Sequence, residues 1–158
     1  MFREMRAQDR IGDRAEAKEA LAKGEYGVLS LLGDDDYPYG VPLHYIADGE
    51  TIYMHGFLEG HKIDALQKHS KASFTVVALA EIRQDLIDTN YISVIAFGKI
   101  DLVPMDDEAE RSRIFKLFMK RFVPDDETRT DAYIGENRQA ANLIRLKVEH
   151  LSCKKSAL

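Results

Sequence analysis

The chain has 158 residues, 45% of them hydrophobic and 31% charged, with a formal net charge of −5. That length suits one domain, residues 1–158, with a real core. The acidic balance excludes broad nucleic-acid or anionic-membrane binding, which needs clustered cations. No apolar run nears the roughly 20 residues of a membrane-spanning helix, and the opening MFREMRAQDR lacks the apolar core of a signal peptide. A single cysteine, Cys153, leaves no internal disulfide and no cysteine-based zinc site. A cytoplasmic location is expected.

The first element is a helix over 13–24, capped by Asp13 and ended by Gly24, with Ala17, Ala20 and Leu21 as its apolar stripe. A strand over 25–33, a turn at DDDYP, and a second strand over 39–47 follow. Asp48-Gly49 signals a hairpin into a third strand, 51–56. Pro42 cannot donate to a ladder, so its place is an edge or bulge. A short helix runs from His61 to about His69, burying Ile63 and Leu66. Strands are expected at 71–80 and 91–103, separated by a loop, EIRQDLIDTN; Gly98 suits the bend of a closing barrel. The strongest helix pattern is 106–122, with Ile114, Phe115, Leu117, Phe118 and Phe122 as its core face. Residues 124–135 read as loop with at most a turn of helix, 136–141 as a short helix, and 142–152 as a final alternating strand. Hairpin-linked strands point to an antiparallel sheet, and about six of them with a glycine bend to a small closed or split barrel.

HGFLEGHKIDAL, residues 55–66, poses a problem in electrostatics. A helix start is electropositive and favours acids, yet His61 and Lys62 occupy the first turn. Two solvated side chains would be the plain explanation. Gly60, the free first-turn amides and the cationic heads would equally make a cradle for an oxyanion, a phosphate above all. His55 ends the preceding strand, six residues earlier, where a ligand body extending from such a phosphate would pass. Taken alone it reads as a half-buried, carbonyl-bonded histidine. His44 and Tyr45 point to opposite faces of their strand, and Ser93 sits on an apolar one. His55, His61, Asp64 and His69 match no familiar zinc spacing, so no metal is expected. Cys153 lacks an activating neighbour in sequence, and no hydrolase elbow, Walker loop or dinucleotide fingerprint is present.

The ordered set MRAQDR, KGEYGVLSLLGDDDYPYGVPLHYI, IYMHGFLEGHKIDAL, ASFTVV and YISVIAFGKIDLV, across about residues 5–150, resembles the pyridoxamine 5′-phosphate oxidase-related flavoproteins, in their nitroimidazole-resistance (Nim-like) branch. The resemblance implies a mainly β fold with flanking helices, an antiparallel split β-barrel. It implies FMN held at the interface of a homodimer, its phosphate near His61 and Lys62. The flavin ring would lie along Pro42, Leu43, His44 and Tyr45 and along Tyr53–Gly56, with His55 near its reactive edge. Ser93 and Val94 match a Ser-Val pair that lines the cofactor. Position 44 is histidine where relatives more often carry asparagine or a small polar residue. The tail SCKK stands where they carry a small residue followed by Gly-Lys. The function so implied is FMN-dependent reduction of small electron-poor compounds, with His55 catalytic. The rivals are a flavin carrier, a haem protein using His44, His55 or His150 as axial ligand, and a dimerisation domain without cofactor.

Overall fold

A computed structural model describes residues 2–124, 127–137 and 139–156. Its elements are β1 (Ile11–Gly12), α1 (Arg14–Lys23), β2 (Tyr26–Leu32), β3 (Pro38–Asp48), β4 (Thr51–Gly56), α2 (His61–Lys68), β5 (Lys71–Arg83), β6 (Asp88–Leu102), α3 (Glu108–Phe122), α4 (Glu127–Asn137) and β7 (Asn142–Lys155). The strands form one antiparallel sheet in the order β1-β7-β4-β3-β2-β5-β6, and a β7–β6 pairing closes it into a ring. The mainly β, antiparallel barrel expected from the strand pattern is therefore the architecture observed.

Local chemistry sets the boundaries. Asp13 accepts from the Glu16 amide while the Glu16 carboxylate accepts from the Asp13 amide, a reciprocal cap that starts α1. β7 slips register against β6 between Phe97 and Gly98. A Cβ on Gly98 would lie 2.0 Å from the Lys147 carbonyl oxygen, so the close approach admits glycine alone. β3 is paired with β2 from Pro38 to His44, but β4 joins its other flank only from Tyr45 onward. Pro42 thus lies on an open edge, as a residue without an amide hydrogen must.

Alternation divides the apolar residues between two clusters. Leu29, Tyr45, Met54, Phe74, Val94, Ile100 and Leu146 fill the barrel, closed by Ala17, Ala20 and Leu21 of α1 and Ile63 and Leu66 of α2. Outside, Ile46, Tyr53, Val103 and Leu143 pack against Ile114, Phe115 and Phe118 of α3 and Ile134 of α4.

Four expectations need correction. Residues 81–90 are no loop: β5 and β6 run on to Arg83 and Asp88 and leave a tight turn. The helix after α3 occupies 127–137 rather than 136–141, where 139–140 are turn and 138 lies outside the described residues. Phe122 is 42% exposed and does not join the core face, where Met119 is buried instead. β1 was not foreseen, since two residues carry no periodicity.

Gly98→Ala is expected to lower unfolding free energy by about 2–3 kcal/mol, the usual cost of overpacking. Denaturant melts should show a shifted midpoint at constant slope.

Candidate functional site

Gly60 caps α2 with φ +123°, a conformation that only glycine adopts freely, and no side chain caps the helix. The Ile63 and Asp64 amides donate back to the Gly60 carbonyl at 2.8 and 3.2 Å. The amides of His61 and Lys62 precede these bonds and so remain available to an acceptor outside the helix.

The two cations part company. The His61 ring stacks on Tyr39, with centroids 4.1 Å apart and planes at 19°. Its Nε2 lies 3.6 Å from the Asp34 carboxylate and 3.4 Å from the Asp34 amide. Lys68 donates to the same carboxylate at 3.0 Å, and Lys68 first and His61 second hold that carboxyl below its ordinary range. Lys62 runs the other way, over Gly56, where an added Cβ would meet its Cε at 2.5 Å and its Nζ at 3.1 Å. Among the described residues no carboxylate forms a salt bridge with Lys62. His61 thus contacts the β2–β3 turn, while Lys62 lies over Gly56 beside His55.

His55 closes β4 opposite Leu143 of β7. It is open to solvent on one side, and its ring meets the Phe118 ring edge-on at 5.1 Å on the other. Its pKa is depressed, first by desolvation, then by His44 and by the Lys62 charge. His55 is therefore neutral at neutral pH. His44 places Nδ1 3.1 Å from the Glu25 carbonyl. A carbonyl only accepts, so Nδ1 carries the hydrogen and Nε2 stays free to accept in the neutral ring. Tyr26 lies against His44 at 4.0 Å and Phe122 at 5.2 Å, and Phe122 stacks on Phe118. Rings thus run unbroken from Tyr26 through His44, Phe122 and Phe118 to His55. Asn142 of β7 fixes the loop above by donating to the Phe57 and Leu58 carbonyls.

Strand register places the remaining candidates. His44 pairs with Tyr26 and Val77 with Ser93. Continuing the Tyr45–Met54 and Gly27–Val76 registers by one residue puts His55 beside His44 and Tyr26 beside Val77. His55, His44, Tyr26, Val77 and Ser93 therefore form one cross-strand row on the barrel's outer face. Its ends are four strand spacings apart, about 19 Å measured along the sheet. Ser93 lies by a cavity of about 800 Å³ between β6, β7 and residues 2–12, whose walls include Phe2, Ile95, Phe97, His150 and Lys154. His150 stacks on Phe2 there, at 4.5 Å and 9°, in a different region from His44 and His55.

Tyr45 and Val94 turn their side chains into the barrel and are 0% exposed. The Tyr45 hydroxyl donates to the Leu21 carbonyl at 2.6 Å, and burial pushes its pKa up to about 12. Leu43 packs against the same interior. Tyr45 and Val94 can meet a ligand only through backbone, whereas Leu43 is partly exposed and Pro42 and Gly56 are accessible at the open edge. Cys153 is buried, and burial raises its pKa, the state of an unreactive thiol. Among the described residues no three metal-ligating side chains converge, and no helix is long and apolar enough to cross a membrane.

The family description "Pyridoxamine 5′-phosphate oxidase" matches residues 13–155. The chain belongs to this family. An uncharacterized Rhizobium meliloti (strain 1021) protein, RA0666, is 29% identical over 105 residues, 66% of this chain and 64% of that protein. The match thus spans less than two thirds of that relative's length. Among solved structures, a Bacteroides thetaiotaomicron protein provisionally named for 5-nitroimidazole antibiotic resistance superposes with a TM-score of 0.78 at 18% identity, covering 92% of this chain and 85% of its own. The flavocytochrome Anf3 of Azotobacter vinelandii gives 0.82 at 20% identity, covering 98% and 73%. At these identities the likeness establishes the split-barrel fold.

The depressed His55 pKa has a consequence for stability. Below about pH 6.5 the unfolded chain takes up a proton that the folded His55 resists, so stability falls as pH drops through that window. His55→Gln should flatten this limb. Denaturant melts at about pH 7.5 and about pH 5.5 should show a smaller loss in the variant than in wild type.

Proposed function

We propose that this protein is an FMN-dependent oxidoreductase that reduces small, electron-poor organic compounds, nitro compounds among them. The observation that carries this reading is the uncapped, glycine-opened start of α2 with Lys62 laid over Gly56 toward His55. First-turn amides, an ammonium without a carboxylate partner and an accessible histidine in this order fit a phosphate-tailed ligand whose body lies along β3 and β4.

The flavin, when bound, supplies the electron-transfer chemistry. Lys62 Nζ and the His61 and Lys62 amides hold its phosphate. Gly56 keeps the lysine chain flat against the strand. His55, neutral at rest, would donate a hydrogen bond from its ring N–H to the acceptor being reduced, stabilising the negative charge that builds there. Phe118 shields the imidazole from water on one side.

The reading includes a homodimer with the flavin between subunits. Ser93 lies too far along the outer face from His55 for one planar ring system to reach both. The Ser93 end, with its cavity, is therefore assigned to the flavin held by the partner. The outer face supports this. Tyr26, Val28, Val77, Ile95 and Phe97 are exposed together, and the rows they form across β2, β3, β5 and β6 carry no charge. Depletion of charge is the mark of an interface core.

The absorption spectrum of purified protein, with mass analysis of released ligand, tests this directly. Flavin bands and the mass of FMN are expected. A Soret band would select haem instead, and colourless protein that also refuses added FMN would end the proposal. Lys62→Ala should weaken FMN binding about ten- to one-hundred-fold, the worth of a charge-assisted hydrogen bond, while leaving riboflavin affinity unchanged. Equal FMN affinity in both proteins would remove Lys62 from the phosphate site. His55→Gln should lower kcat while FMN affinity stays within about two-fold.

A further inference from the structure

The cavity beside β6 and β7 has two unlike ends. Ser93, Ile95 and Phe97 share the outer face of β6, and register sets Lys154, Ser152 and His150 of β7 opposite them. These pairs make three successive rows, each about 7 Å from the next at two residues of strand rise. The far row is aromatic. The Phe2 ring joins it, 5.5 Å from Phe97 and 4.5 Å from His150. In the middle row the Ser152 hydroxyl turns back to the Ile95 carbonyl at 3.3 Å. The near row is polar, with the Ser93 hydroxyl beside the Lys154 ammonium. Lys154 is exposed, and its Nζ lies 5.5 Å from the centre of the Tyr91 ring. Among the described residues no carboxylate forms a salt bridge with it. Arg10 brings further positive charge to this end, donating to the Tyr91 hydroxyl at 3.0 Å and lying 4.0 Å from Asp9. Arg3 and Glu4 also line the cavity, with opposite charges that offset.

We propose that this cavity binds a planar aromatic carboxylate, with its ring over Ile95 and Ser152, its carboxylate at Lys154 and Ser93, and its opposite substituent against the Phe97, His150 and Phe2 rings. The inference rests on the flavin reading above and narrows it, naming the class of acceptor taken up beside the flavin assigned to this end. A single ring centred on the middle row reaches both neighbouring rows through its substituents. Flat rings at the far row favour an aromatic partner, which they meet edge-on or offset. One ammonium without a carboxylate partner matches the single charge of a carboxylate, and a hydroxyl beside it completes the second oxygen. At about 800 Å³ the cavity lies within the range that holds a small ligand, with room for a flavin ring stacked above it.

Titration calorimetry of the purified protein with 4-nitrobenzoate and with 4-nitrobenzamide, its neutral counterpart of similar shape, tests this. Wild type should bind the carboxylate about ten-fold or more tightly than the amide, the worth of a charge-assisted hydrogen bond. Lys154→Gln should erase that preference by weakening nitrobenzoate alone. Lys154→Arg should keep it, and Phe97→Ala should weaken both probes alike. Equal affinity for the two probes in wild type, or a preference that survives Lys154→Gln, overturns the inference and leaves the flavin reading intact. Loss of bound FMN in Lys154→Gln with nitrobenzoate binding unmoved gives Lys154 to the flavin and overturns it too. Flavin-free protein that still binds nitrobenzoate through Lys154 defeats the flavin reading and upholds the carboxylate site. Protein that takes up neither flavin nor probe defeats both.

Discussion

β7 is bonded on both flanks, and that double pairing holds the rest in place. Residues 142–147 pair with β4 and residues 144–155 with β6, joining the two ends of a sheet that would otherwise stay open. Closure demands a bend. Gly98 supplies it at a point where the Lys147 carbonyl leaves no room for a side chain. Once the ring is shut, the alternation of every strand sorts residues into an interior of aliphatic and aromatic packing and an exterior free for other uses. A methyl group at position 98 would strain this arrangement at its seam.

The site follows from where closure is incomplete. β3 lacks a partner on one flank before Tyr45, and the chain leaving β4 turns away there into α2. Asn142, at the start of the closing strand, ties that departing loop through two carbonyls. The same residue that opens the barrel's last strand thus sets the height of the α2 terminus over the sheet. Lys62 lies beside His55 because Gly56 offers it no obstacle, and desolvation first, then His44 and the Lys62 charge, hold the imidazole pKa down.

Much of this was legible in the amino-acid sequence. Alternation located six strands, Asp13 and Gly24 bounded α1, and Gly98 marked the bend, because each is a local rule acting on neighbours. The cationic start of α2 stood out for the same reason. Contacts between distant residues were not legible. Nothing near His61 announces Asp34, 27 positions earlier, as the group that draws it aside. Phe122 carries the helical spacing of a core residue, yet the end of α3 swings it toward His44. EIRQDLIDTN looks like loop because its charged residues mask a period of two and Ile87 takes a positive φ at the turn. Tyr45 and Val94 lie beside accessible positions in sequence, but parity sends their side chains inward.

Because the strand that seals the ring is the last of the seven, the ribosome delivers it late. Until residues 142–155 emerge, β4 and β6 each present a row of unsatisfied amides and carbonyls. Such open edges are templates for pairing with another chain, and the arrival of β7 turns both into internal seams of one ring.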